Sequence, residues 1–342
     1  MQIASDQRND SPTESAALVI LETYPSGESA YDGLTGLFNE VKHLGIVASE
    51  TTLFLGAKVL VCGIAPLYEE RISAGNTNVI FTTFESDQLP VEWVASINNK
   101  YQHCIVSHKE VKKVFQLSGV NIPITVIHNG YRRYEKNGRT GVGDAHFNIG
   151  FLGIPVNRKN LSKLYEACRQ LKLTLIPELR LHIHVAFFYD WLDATPFEIM
   201  KADDMVSWTM GKHTADQVAA WYHQLSCYIF PSSAEGWSYT PRESMYLGIP
   251  TIISDIPAHR ELVESGFYKV IAPGGREPAD FGGVIHGNWD YIATDDIKQA
   301  IADMYQRYQH FSALAAEGAE WITDKWKNED IGDQIQRLFC TL

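Results

Sequence analysis

The sequence predicts an α/β protein of two open, doubly wound parallel sheets in series, facing each other across a cleft. Three observations predict it. Short apolar runs alternate with helix-period segments along almost the whole chain. The alternation stops once, at residues 130–146 (GYRRYEKNGRTGVGDAH), where glycines and basic residues replace apolar ones. The length, 342 residues, is enough for two domains at about 100–200 residues each, both large enough to bury a core.

Taken in order, residues 16–21 (AALVIL) read as a buried strand followed by a Gly/Ser loop and a helix over 34–44. Strand 58–62 (KVLVC) precedes a helical stretch at 65–73, strand 79–82 a helix at 90–98, and strand 104–107 a helix at 109–117. After the interruption the rhythm restarts with strand 147–152, helix 161–172, strand 179–187, helix 215–224, strand 226–230, helix 241–247, strand 251–254 and helix 259–265. Residues 297–326 have helical spacing. The expected organisation is therefore a disordered polar tail (1–15), a first domain (16–130), a linker (131–146), a second domain (147–320) and a C-terminal helix (321–342) that crosses back to the first domain.

The composition removes several function classes. With 41 acidic residues against 29 Lys plus Arg, the net charge of −12 speaks against a nucleic-acid partner, because phosphate backbones are bound by basic surfaces. A small anionic ligand needs only a few local cations and remains compatible. The 5 cysteines are scattered and form no C-x-x-C pair, which predicts reduced, buried thiols, a cytoplasmic location and no zinc site. His182 and His184 share a strand face but have no third ligand in view, so no metal is expected. No apolar run reaches the roughly 18–20 residues that span a bilayer. The helix at 109–117 carries Lys109, Lys112 and Lys113 on its polar side, which allows at most peripheral contact with an inner membrane face.

In open parallel sheets, ligands sit on the loops that leave the carboxyl ends of the strands. The loop after strand 226–230 (PSSAEGWSYT) holds Glu235, and Glu243 follows eight positions later in the next helix. Both carboxylates can face one ligand and accept hydrogen bonds from sugar or ribose hydroxyls. The free N–H groups over Gly236, Trp237, Ser238, Tyr239 and Thr240 can take phosphate oxygens. A ligand-free reading of the same residues is a capping box, Thr240-Pro241-Arg242-Glu243, with proline at the first helical position. The loop after the first strand contains Gly27, where the backbone could approach a diphosphate. No G-x-G-x-x-G follows that strand, and Walker A and G-x-S-x-G motifs are absent, which argues against dinucleotide-dependent redox, P-loop and serine-hydrolase chemistry.

The segment FPSSAEGWSYTPRESMYLGIPTIISDIPAHREL resembles the donor-site signature of retaining glycosyltransferases of family four, enzymes of the GT-B fold whose motif is Glu, seven residues, Glu. FESDQLPVEWVASIN, IVSHKEVKKVFQLSGV and VIHNG are similar to the second half of that family's N-terminal domain, and GFLGIPVNRKNLSKLYEA to the start of its C-terminal domain. The likeness covers roughly residues 80–265. It implies two Rossmann-like domains, with the acceptor held mainly by the first and the nucleotide sugar by the second.

Residue by residue, the resemblance implies that Glu235 contacts the transferred sugar, Glu243 holds the ribose hydroxyls, and the backbone from Gly236 to Tyr239 lines sugar and diphosphate. Lys159 matches the lysine that neutralises the leaving diphosphate, where a fixed cation stabilises charge as it develops. Two positions depart from the family. Ile154 stands where many members carry an arginine, so either Arg158 supplies that charge or the diphosphate is held by fewer cations; Glu85 stands where many have a histidine near the anomeric carbon. The expected activity is transfer of a hexose, with a lean to mannose, from a nucleotide sugar, GDP favoured over UDP, to a hydroxyl of a carbohydrate or lipid-linked acceptor. No cofactor or metal is expected. A GT-B sugar-nucleotide epimerase and a catalytically silent sugar-nucleotide-binding protein are the alternatives.

Overall fold

The computed structural model describes residues 18–22, 32–136 and 145–342. The chain order is β1 (Leu18–Leu21), α1 (Asp32–Val41), β2 (Ile46–Ala48), β3 (Lys58–Cys62), β4 (Thr77–Thr82), α2 (Val91–Lys100), β5 (His103–Val106), α3 (Lys109–Leu117) and β6 (Ile124–Val126). There follow β7 (Phe147–Leu152), α4 (Leu161–Thr174), β8 (Leu179–Val185), α5 (Thr195–Lys201), β9 (Val206–Met210), α6 (Ala215–His223), β10 (Cys227–Phe230), α7 (Tyr239–Tyr246), β11 (Thr251–Ser254), α8 (Arg260–Glu264) and β12 (Lys269–Ile271). The chain ends with an antiparallel hairpin, β13 (Gly275–Asp280) and β14 (Ile285–Tyr291), and three helices, α9 (Thr294–Gln306), α10 (Tyr308–Thr323) and α11 (Asn328–Thr341).

Two six-stranded sheets result, ordered β2-β1-β3-β4-β5-β6 and β12-β11-β10-β7-β8-β9, and every pairing within them is parallel. The central strands read as nearly continuous apolar runs because both faces are covered. Val59, Leu60, Val61, Ile80 and Ile105 in the first sheet, and Ile149, Phe151, Ile229 and Ile252 in the second, are fully buried or nearly so. α11 inserts Ile331, Ile335 and Phe339 into the cluster containing Ile20, Leu60 and Phe81 on one face of the first sheet. The C-terminal helix therefore completes the core of the sheet formed by the start of the chain.

The second sheet reverses direction at one place. The chain runs β7-β8-β9 outward on one side, then returns with β10-β11-β12 on the other. The crevice at such a switch point, between the loops leaving β7 and β10, is where open α/β sheets bind ligands.

Several elements differ from the sequence reading. Short β2, β6 and β12, each of 3 residues, carry too little periodicity to be seen, and the helical stretch at 65–73 is only a 3-10 turn, Ala65–Tyr68. The hairpin β13–β14 went unread because GREPADFGGVIHGNWDY is rich in glycine and charge. Four cysteines are buried, but Cys340 is exposed on α11. On α3, Lys112 donates to the Ile124 carbonyl (2.6 Å) and Lys113 pairs with Glu110 (2.6 Å), so two of the three lysines are spent within the protein.

Candidate active site

The loops leaving β4, β7 and β10 bring four charged side chains together. After β7 the chain makes a 3-10 turn, Asn157–Lys159, closed by Asn160 in the left-handed conformation (φ 55°). That position is stabilised from within: the Asn160 amide donates to the Pro231 carbonyl and to Ser233 Oγ, both at 2.8 Å, tying this loop to the one leaving β10. Arg158 and Lys159 consequently point at Glu235. Arg158 Nη1 lies 2.5 Å and Lys159 Nζ 2.8 Å from Glu235 Oε1, and Ser232 Oγ donates to the same oxygen at 2.7 Å. The other Arg158 nitrogen, Nη2, reaches Glu85 Oε1 at 3.3 Å, so one guanidinium bridges carboxylates carried by different sheets.

The electrostatics follow from that geometry. Burial alone would raise the pKa of Glu235, but Arg158 and Lys159 overcome it and hold the carboxyl at about 2. For Arg158, burial opposes the charge and Glu235 and Glu85 outweigh it, raising its pKa. For Lys159 burial prevails: its pKa lies below the ordinary lysine value despite Glu235, with Arg158 pushing the same way as burial. Its ammonium also sits over the Phe230 ring, 4.4 Å from the centroid. Two cations thus share Glu235 and one of them also meets Glu85, so the four side chains balance in charge, and an incoming anion would compete with the carboxylates for Arg158 and Lys159.

Glu243 occupies different surroundings. It lies on α7, buried, with Tyr222 and Tyr134 donating to Oε2 at 3.2 and 3.4 Å. Burial raises its pKa to about 7, against the opposing influence of Arg132. The capping box does not form. α7 begins at Tyr239 behind Ser238, whose backbone is left-handed (φ 65°), and the Thr240 hydroxyl inside the helix accepts from Tyr228 Oη at 2.6 Å. Glu243 is therefore free of a capping duty.

Ser238 belongs to a buried relay. His259 Nδ1 lies 2.8 Å from the Ser254 carbonyl, which only accepts, so Nδ1 carries the proton and Nε2 accepts from Ser238 Oγ at 2.8 Å. Burial lowers the His259 pKa to about 4, consistent with a neutral ring. Gly236 brings the loop leaving β10 against the first sheet: its carbonyl accepts from Ser107 Oγ (2.8 Å), and a Cβ would lie 2.1 Å from Thr83 Oγ1. Only glycine fits there. The Trp237 indole turns away from the charged cluster. It donates to the Gly130 carbonyl (2.5 Å), and its ring lies 3.6 Å from the buried Arg242 guanidinium.

The structure thus brings together Glu85, Arg158, Lys159 and Glu235, with Gly236, Ser238, Tyr239, Thr240 and Glu243 on the adjoining loop and helix. Gly27 lies outside the described residues. Among the described residues no group of three or more His, Cys, Asp and Glu side chains could hold a metal ion, and no helix is long and apolar enough to cross a membrane. Sequence reasoning missed His259, Tyr222 and Tyr134, whose roles depend on contacts between distant segments, and Ser232, which meets Glu235 within their own irregular loop. It also missed Trp289, whose Nε1 donates to the Glu85 carbonyl at 2.6 Å.

Residues 133–285 match the model of a family described as glycosyl transferases group 1. The chain is similar to the lipopolysaccharide core biosynthesis mannosyltransferase LpsB of Rhizobium meliloti (strain 1021), at 37% identity over 129 residues. That match covers 38% of this chain and spans only 31% of the length of the curated relative. Among solved structures it resembles Anabaena Alr3699/HepE in complex with UDP-glucose (TM-score 0.68, 13% identity, 95% of this chain and 99% of that one). It also resembles the pneumococcal O-GlcNAc transferase GtfA in complex with UDP and GlcNAc (TM-score 0.61, 19% identity, 84% of this chain and 58% of that one). The charged cluster at the switch point therefore lies in a chain of GT-B fold whose residues 133–285 match the model of the glycosyl transferases group 1.

Proposed function

We propose that the protein is a retaining hexosyltransferase that moves a sugar, with mannose favoured, from a nucleotide sugar to a hydroxyl of a carbohydrate or lipid-linked acceptor. The single observation that carries the reading is the convergence of Arg158 and Lys159 on Glu235 at the switch point, with Glu85 entering from the opposite sheet. The mannose preference rests on the mannosyltransferase relative, and the GDP preference on the similarity of residues 255–262 (DIPAHREL) to family members that use GDP-mannose.

The chemistry follows from charge. Departure of a nucleoside diphosphate builds negative charge on the β-phosphate. Lys159, whose burial disfavours its charge without a partner, and Arg158 would transfer part of their attention from Glu235 to that phosphate. Glu235, ionised throughout the physiological range, would accept hydrogen bonds from the sugar hydroxyls, while Gly236–Tyr239 backbone N–H groups would approach the diphosphate. Glu243, set in a hydroxyl-lined aromatic pocket, would exchange the Tyr134 contact for ribose hydroxyls. Glu85 would line the acceptor side of the anomeric carbon. No resident cofactor or metal enters this scheme.

The test is a panel of GDP- and UDP-sugars incubated with the protein and simple glycoside acceptors, scored for released nucleotide and for the anomeric configuration of the product. Release from a GDP-hexose with retained configuration is expected. A product of inverted configuration would remove the retaining assignment. Clean epimerisation, or binding of nucleotide with neither hydrolysis nor transfer, would replace the reading with one of its two alternatives.

A further inference from the structure

The β13–β14 hairpin, which follows the second sheet in sequence, reaches across to the loop leaving β4 of the first. Its base rests on the loop that carries Glu235: Asp290 N donates to the Ser233 carbonyl (3.1 Å), and Trp289 packs in a small cluster with Ala234 and Ala279. Its far side holds the residues around Glu85. Trp289 Nε1 donates to the Glu85 carbonyl (2.6 Å), Ser86 Oγ to the His286 carbonyl, and Asn288 N to Asp87 Oδ1 (2.6 Å). Arg276 pairs with Asp87 at 2.7 Å, and Phe281 stacks on Phe84 with centroids 5.0 Å apart. At Gly287 (φ 68°) a Cβ would lie 2.3 Å from Asp87 Oδ1 and 2.7 Å from Ser86 Oγ, so the seating requires glycine.

Phe84, the Glu85 carbonyl, Ser86 and Asp87 are thus all contacted by a segment anchored beside Glu235. The carboxylate itself is left to Arg158. A loop tip held only by its own chain would be free to swing, whereas this one is tied on both flanks.

We infer that the β13–β14 hairpin is a strap between the two sheets and that Trp289 is the positioning residue for Glu85, setting its carboxylate against Arg158 and fixing the width of the reaction centre. The role of Glu85 rests on the transferase reading; the strap itself does not. The Trp289 ring spans the gap between the two carboxylate-bearing loops, and its N–H supplies the only directional contact in that span to the Glu85 main chain among those described.

The experiment uses the full chain with Trp289→Phe, which keeps a ring but loses the N–H, and Gly287→Ala, which blocks seating. Two readouts are taken. Amide exchange at Asp87 and Gln88, whose N–H groups face Asn288 O and Ser86 Oγ, should accelerate about tenfold or more in both variants. Turnover of the donor identified by the panel should show kcat reduced about tenfold, with donor KM and the Kd for GDP or UDP unchanged. Should Gly287→Ala fail to fold, Trp289→Phe carries both readouts. Wild-type exchange in the variants overturns the strap. Faster exchange with unchanged kcat, or a kcat loss matched by lost nucleotide affinity, overturns the positioning of Glu85. If the wild-type chain turns over no donor, the transferase reading fails, and the exchange readout alone decides the strap.

Discussion

Glu235 and Glu243 stand eight residues apart at the same end of the same sheet, yet their surroundings push them in opposite directions. Glu235 is gripped by two cations and a serine hydroxyl and held ionised, with a pKa of about 2. Glu243 sits between tyrosine hydroxyls in an apolar pocket, and burial carries it up to about 7. Similar burial therefore gives a permanent charge at one site and a proton-sharing hydrogen-bonding group at the other, and the difference lies in the neighbours. The first suits a centre where charge develops. The second suits recognition of neutral hydroxyls.

The largest expected effect breaks the charged side of that pair. Lys159→Ala should lower kcat by at least about 100-fold, the scale of losing one transition-state stabiliser, measured as nucleotide release under saturating donor. Glu235→Gln should reduce turnover on a similar scale. Because it also frees two cations, nucleotide affinity in this variant should hold or tighten, a split that titration calorimetry reads directly.

A smaller effect belongs to the aromatic side. Glu243→Ala should weaken nucleotide binding about tenfold, which corresponds to roughly 1.4 kcal/mol for one or two lost hydroxyl contacts, with kcat at saturation nearly unchanged. If kcat fell as steeply as in Lys159→Ala, the division of labour between the two glutamates would not hold.

The smallest effects are in stability, and their pH dependence has opposite sign. The pKa of Glu235 is depressed from the ordinary 4.5 to about 2, so its contribution is present above about 4.5 and is lost as pH falls toward 2. The pKa of Glu243 is raised from 4.5 to about 7, so its contribution is present below about 4.5 and is lost as pH rises through 7. Glu243→Gln should consequently raise the melting temperature by a few degrees at pH 8 and leave it unchanged at pH 4. A thermal scan at both values checks it; equal shifts would mean that the carboxyl is not proton-coupled to folding.

How much of this was legible in the sequence divides along the same physical line. The central strands announced themselves because burial on both faces makes them unbroken apolar runs, and the loops bearing Glu85, Lys159 and Glu235 followed from strand ends and a composite of ordered segments. The partners of those residues did not. His259 and Tyr134 acquire meaning only when segments 21 and 109 residues apart meet, and Ser232, in the same loop as Glu235, belongs to no regular period. The capping-box reading at Thr240 failed because a tertiary hydrogen bond from Tyr228 claimed its hydroxyl and the helix began at Tyr239 instead. The hairpin was hidden by its own function: residues that bridge two sheets are chosen for polar contacts and for glycine at the seat, and so lack an apolar alternation.

The account rests on Arg158 and Lys159 forming an anion site completed by a nucleoside diphosphate. Titration calorimetry of GDP and UDP into the wild-type protein and Lys159→Ala tests that most directly. Saturable binding of at least one nucleotide to the wild type, weakened about tenfold or more by the substitution, is the predicted result. Wild-type affinity in Lys159→Ala, or no binding of either nucleotide to the native chain, would contradict it.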